Sequence, residues 1–214
     1  MQIQLEQLGK RYQYEWIFKN LDYTFVSGES YAILGHNGSG KSTLMQVLSA
    51  YLSASKGKIH FSQNGLAIPV GEVYQWVSYT APYIDLIDEF TLLELLEFHQ
   101  KFKPFQNQLD SSGLLAILQL SKQNYNKPLK FFSSGMKQRV KLVLAICAQT
   151  PVLLLDEPTI TLDRQGVAWY QGLLQKYALG KRLFIVASNV KEDYQFCSQY
   201  LRITDYKVNF TSPC

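Results

Sequence analysis

Gly35-His36-Asn37-Gly38-Ser39-Gly40-Lys41-Ser42-Thr43 is the stretch whose reading decides the fold. Its spacing, Gly-x-x-x-x-Gly-Lys followed by Ser or Thr, is that of a loop that wraps nucleotide phosphates. Before it, Ser-Tyr-Ala-Ile-Leu (30–34) is short and apolar enough for a buried strand. After it, Leu44, Val47, Leu48 and Tyr51 recur at helical spacing, so the loop is expected between a strand and a helix. Gly35, Gly38 and Gly40 let the backbone turn tightly and aim its N–H groups inward, where the helix dipole adds positive potential. Asn37, Ser39 and Thr43 belong to the same cradle. Lys41 then reaches the outer phosphates, and the Ser42 hydroxyl is placed to hold a magnesium ion. The implied ligand is a nucleoside triphosphate.

A second signal lies downstream in Val-Leu-Leu-Leu-Asp-Glu (152–157). A run this apolar belongs in mid-sheet, with its C-terminal end opening into the crevice beside the phosphate loop. Asp156 is then placed to anchor magnesium, and Glu157 to orient or deprotonate an attacking water. Between the two signals stands Phe-Ser-Ser-Gly-Met-Lys-Gln-Arg (132–139), followed by an apolar helix. A serine hydroxyl and glycine amide at a helix N-terminus make a second anion site, here Ser133 and Gly135.

Composition narrows the class. The chain has 214 residues, 47% hydrophobic and 18% charged, which suits one substantial folded core. A net charge of +4, without a dense basic run, is too mild to argue for nucleic acid, so no nucleic-acid partner is expected, and it is compatible with work beside an anionic membrane leaflet. Three cysteines, Cys147, Cys197 and Cys214, form no metal motif and point to a reducing compartment, with Cys147 a small core residue. Met-Gln-Ile-Gln-Leu-Glu (1–6) has no signal-peptide character, and Val140–Ala148 and Val152–Leu155 are too short to cross a bilayer. The expected location is cytoplasmic.

Along the chain, residues 1–30 read as antiparallel strands separated by turn signals at Gly9-Lys10 and Ser27-Gly28. Further strands are predicted at Lys58–Phe61 and Val77–Tyr79. From Leu86 to Leu120 the pattern is helical, broken at Pro104, with Thr91 and Glu94 spaced as a capping box. A helix from Phe132 to about Gln149, the strand Val152–Leu155, a helix near Val167–Tyr177 and a final core strand Leu183–Ala187 complete the reading.

The chain resembles the ATP-binding cassette ATPases of transporters over essentially its whole length. Phe132–Met136 resembles their signature Leu-Ser-Gly-Gly-Gln, with Gln138-Arg139 retained, and precedes Asp156-Glu157-Pro158-Thr159 in the family's order. Ile160-Thr161-Leu162-Asp163 is similar to their dimer-contacting loop. The resemblance implies an α/β fold of the P-loop NTPase kind: a mixed, mainly parallel core sheet, an N-terminal antiparallel β subdomain, and a helical subdomain at about 86–135. All of it would form one domain over 1–214. It implies ATP and magnesium as ligands, and a head-to-tail dimer with itself or a related cassette. In that dimer Ser133 and Gly135 reach the γ-phosphate bound on the partner. Separate membrane-spanning subunits would make the chain peripheral to the cytoplasmic face, with Tyr83–Phe90 a candidate contact. Tyr12 falls where the family stacks an aromatic on adenine, with Tyr14 and Trp16 as competitors.

Two departures stand out. The family's glutamine after the strand at Val77–Tyr79 is replaced by Thr80-Ala81-Pro82, and its switch histidine by Asn189 after Ile185-Val186-Ala187-Ser188. Asparagine hydrogen-bonds a γ-phosphate or the glutamate but carries no positive charge, which implies slow or differently tuned hydrolysis. The departures keep a second reading open: a nucleotide-gated regulatory module with little turnover. Intact Lys41, Ser42, Asp156 and Glu157 argue for the ATPase. A soluble two-cassette protein acting on ribosomes or DNA is disfavoured by the single cassette. A GTPase is disfavoured because Asn126-Lys127-Pro128-Leu129 lacks the guanine-reading aspartate.

Overall fold

Two sheets share one core, and the sequence period separates them. The structure is a computed structural model that describes residues 1–207, so Cys214 lies outside the described residues. Strands β1 (Gln2–Tyr12), β2 (Glu15–Val26), β4 (Lys56–Gln63) and β5 (Leu66–Ile68) form an antiparallel sheet in the order β2-β1-β4-β5. Strands β3 (Ser30–Leu34), β6 (Val77–Thr80), β7 (Val152–Asp156), β8 (Leu183–Ala187) and β9 (Gln199–Arg202) form a sheet in the order β6-β7-β8-β3-β9. Every pairing within this second sheet is parallel.

The β7 and β8 runs are apolar throughout because both faces of the parallel sheet are covered. Leu153, Leu155, Phe184 and Val186 face a cluster built with the helices, while Val152, Leu154, Leu183 and Ile185 face the antiparallel sheet. Helices α3 (Leu92–Phe102), α4 (Ser111–Leu118), α5 (Ser134–Cys147) and α6 (Arg164–Tyr177) contribute to the first cluster, and α1 (Lys41–Leu48) to the second. The short helices α2 (Val73–Trp76) and α7 (Lys191–Tyr194) complete the elements that bear on the site. Cys147 and Cys197 are buried free thiols.

Local chemistry explains the helix ends. Thr91 and Glu94 form a full capping box on α3: Glu94 N–H donates to Thr91 Oγ1 at 3.2 Å and Thr91 N–H to Glu94 Oε2 at 2.8 Å. At the C-terminal end of α5, the buried Arg182 guanidinium donates to the carbonyls of Ile146, Ala148 and Thr150, a cation where the helix dipole is negative.

Three expectations about elements need correction. Gly9-Lys10 is not a turn: β1 runs through it as an irregularity in register, and the hairpin turns at Gln13-Tyr14. Gly9 is required there because a Cβ would lie 2.9 Å from the Trp16 ring. Leu183–Ala187 is not the last core strand, since β9 pairs with β3 at the sheet edge. Tyr51 lies beyond the end of α1 and is exposed, so only Leu44, Val47 and Leu48 of that periodic set reach the core.

Candidate functional site

Strand order brings the chemistry together. β8 lies between β7 and β3, and Ala187 is level with Asp156 on one side and Ile33 on the other. The segments leaving the C-terminal ends of these three strands therefore meet: Gly35–Gly40 after β3, Glu157 after β7, and Ser188-Asn189 after β8.

The loop closes onto α1 at Gly40, whose φ of 105° is left-handed. A Cβ there would sit 2.5 Å from Ile17 Cγ2, so both conformation and space demand glycine. Ile17, Asn37, Gly38, Gly40, Lys41, Ser42, Thr43 and Glu157 line a cavity of about 250 Å³. Lys41, only 4% exposed, donates to the Gly35 carbonyl at 2.8 Å and lies 3.9 Å from Glu157 Oε1. In one amide orientation Asn189 donates to Asn37 Oδ1 at 2.7 Å; in the other, which suits its neighbours better, it donates instead to the Gly35 carbonyl and its oxygen lies 3.2 Å from Lys41 Nζ. Ser39 is buried beneath the loop, beside Gly35.

Glu157 carries backbone strain that the sequence did not signal. Its φ is +44°, and its N–H donates to the Ala187 carbonyl at 2.8 Å, which ties the end of β7 to the end of β8. A non-glycine residue held there costs on the order of 1–3 kcal/mol and is found where surrounding structure fixes a functional geometry.

Asp156 is 1% exposed and its Oδ1 has no partner. Burial pushes its carboxyl up to about 6, with the Ser42 hydroxyl pulling the other way. An unpaired buried carboxylate oxygen beside a serine hydroxyl is the donor set a hard divalent cation takes, so the residues fit magnesium.

Ser133 and Gly135 stand elsewhere. Ser133 caps α5, accepting from Met136 N–H at 3.3 Å, and with Gly135, Arg139, Thr161 and Asp163 it lines a separate cavity of about 340 Å³. The two cavities have no lining residue in common. Tyr12, 47% exposed at the hairpin end of β1, does not line the phosphate-loop cavity, although Ile17 of the same hairpin does. Tyr14 is exposed, and Trp16 lies between the Arg11 and Lys19 side chains.

The sequence model of the family described as "ABC transporter" matches residues 18–160, more than half of the chain. The chain belongs to the ABC transporter family. It is similar to the ABC transporter ATP-binding protein YybJ of Bacillus subtilis, with 31% identity over 89% of this chain and 87% of that protein. It is also similar to the cytochrome c biogenesis ATP-binding export protein CcmA of Brucella abortus, with 26% identity over 89% of this chain and 86% of that one. Among solved structures, an ABC transporter ATP-binding protein from Pyrococcus furiosus superposes with a TM-score of 0.80 at 19% identity, covering 97% of this chain and all of that one. The ATP-binding cassette MJ0796, in a dimeric post-hydrolysis state bound to ADP and Pi, gives 0.80 at 21% identity over 94% and 95% of the two chains. The fold is that of an ABC nucleotide-binding domain.

This cassette stores a cost at Asp156 that pH exposes. The folded carboxyl holds its proton to about pH 6, whereas the ordinary value is 3.8. Between those values the folded state binds more protons than the unfolded one, so metal-free stability falls as pH rises through the window, by about 3 kcal/mol in all. Asp156→Asn removes this slope, and in urea unfolding with EDTA it is more stable than the native chain at neutral pH. His99, half-buried and stacked on Phe105 with its basicity lowered to about 4, contributes the opposite slope to both proteins, so their difference isolates Asp156. Parallel stability curves for the two proteins would contradict the assignment.

Proposed function

We propose that the chain is the ATP-binding and ATP-hydrolysing subunit of an ABC-type transporter, driving separate membrane subunits by closing on ATP with a second cassette. The observation that carries this reading is the meeting of Lys41, Asp156, Glu157 and Asn189 at the ends of three adjacent parallel strands. Lys41 and the amides of Gly35–Thr43 bind the phosphates. Ser42 and Asp156 hold magnesium, which when bound neutralises charge developing on the transferred phosphate. Glu157 orients the attacking water and takes its proton. Asn189, which lies against Asn37 of the loop, hydrogen-bonds the γ-phosphate. Being neutral, it supports a lower turnover than a cationic side chain would. Tyr12 stacks on the adenine.

The second cassette is a copy of this chain or a related one, turned head to tail. Its Ser133 and Gly135, at the N-terminus of α5, complete the phosphate site. The separation of the two cavities on one chain supports this, because Ser133 and Gly135 do not line the cavity of their own phosphate loop. The dimeric state named for MJ0796 and the export role named for CcmA support the same reading. The helical subdomain at about 86–135 faces the membrane subunits through Tyr83–Phe90, on the cytoplasmic side. No helix of the described residues is long and apolar enough to cross a membrane, so other chains would supply the spanning part.

Release of phosphate from Mg-ATP by the purified chain tests the reading. Turnover that disappears when magnesium is chelated is expected; magnesium-independent release, or none with the membrane subunits present, would refute it.

A further inference from the structure

Tyr83 opens the segment read above as a membrane-subunit contact, between β6 and α3, but its own hydroxyl turns inward. Its hydroxyl donates to Asp156 Oδ2 at 3.4 Å. At that separation the bond is long for two oxygens and weak, so it leaves the charge on Asp156 in place. Only one of the two carboxylate oxygens is held in this way, because Oδ1 is buried without a partner. The hydroxyl of Tyr79, on β6, hydrogen-bonds that of Tyr83. With the Tyr83 proton committed to Asp156, Tyr79 donates to the Tyr83 oxygen, and each bond polarises the next.

The position of Tyr83 is itself fixed. Lys141, on α5, donates to the carbonyls of Ala81, Pro82 and Ile84 at 3.3, 3.2 and 3.1 Å. Three carbonyls from four consecutive residues match the three protons of one ammonium group, which braces the bend that points Tyr83 at β7. Within the segment, Ile84 N–H also donates to the Ala81 carbonyl at 3.2 Å, while Pro82 has no N–H to give, so Lys141 adds to a turn already formed.

We propose that Tyr83 is a positioning residue for the metal carboxylate: its hydroxyl holds Asp156 Oδ2 so that Oδ1 is presented to a divalent cation, and Lys141 holds Tyr83 in place. This rests on the reading above that Asp156 binds the cation. Because Lys141 lies on the helix that Ser133 caps, a displacement of α5 would be passed to the cation through the Lys141 clamp and Tyr83.

The test uses Mn2+ as a spectroscopic probe with ADP, so that no turnover is involved. Bound Mn2+ is counted by electron paramagnetic resonance for the native chain, Tyr83→Phe, Lys141→Met and Asp156→Asn, and ADP affinity is measured separately in EDTA. Tyr83→Phe is expected to weaken Mn2+ binding about tenfold, as loss of a group that orients a ligand does, and to leave metal-free ADP affinity unchanged. Lys141→Met keeps the hydroxyl but loosens the segment, and should act in the same direction. Folded Tyr83→Phe with native Mn2+ affinity, beside an Asp156→Asn variant that has lost it, would overturn the proposal. Should Tyr83→Phe fail to fold, native Mn2+ affinity in Lys141→Met would do the same. If Asp156→Asn keeps native Mn2+ affinity, the cation assignment itself falls, and the role of Tyr83 with it.

Discussion

Lys41→Ala weakens ATP binding by roughly tenfold to 150-fold, the value of a hydrogen bond to a charged group. Lys41 is the cation that lines the phosphate-loop cavity, and its ammonium is held at the mouth by the Gly35 carbonyl. A γ-phosphate offers that ammonium a charged acceptor in place of a neutral one. The fold should survive, because Glu157, the carboxylate that loses its partner, is 31% exposed and can turn to water. Titration calorimetry with ATP on the folded variant checks this. An affinity within about threefold of the native chain would place the triphosphate elsewhere.

Glu157→Gln lowers turnover by about a hundredfold to ten-thousandfold, the usual contribution of a positioned general base, with ATP affinity nearly unchanged. Glutamine has the size and shape of glutamate, so the left-handed backbone at this position and its N–H bond to Ala187 persist, and the variant isolates the carboxylate. Single-turnover phosphate release is the measurement. Turnover within about tenfold of native would move the base to another residue.

Much of the fold was legible because its signals are local. The strand, loop and helix around Gly35–Thr43 and the apolar run into Asp156 declare themselves within ten residues. β9 did not: at an edge it buries only Leu201, so Gln199–Arg202 shows no apolar run. Gly9-Lys10 was misread because a glycine that admits a neighbouring ring looks, in sequence, like one that makes a turn. In the candidate site, residue types could be read but not proximity. Asn189 reaches Lys41 only because β8 lies between β7 and β3, a strand order that no stretch of sequence states. Tyr83 meets Asp156 across 73 residues, through a bend that Lys141 braces from a third element. The strain at Glu157 was hidden too, since nothing in Asp-Glu-Pro announces a positive φ.

The central claim is that ATP bound at one phosphate loop is closed over by Ser133 and Gly135 of a second cassette. Light scattering on the Glu157→Gln chain, with and without saturating Mg-ATP, tests it most directly. Conversion from one 24.5 kDa chain to two on adding ATP is expected, with reversal when Gly135→Trp blocks the second cavity. A Glu157→Gln chain that binds ATP and remains a monomer, or a dimer indifferent to Gly135→Trp, would contradict it.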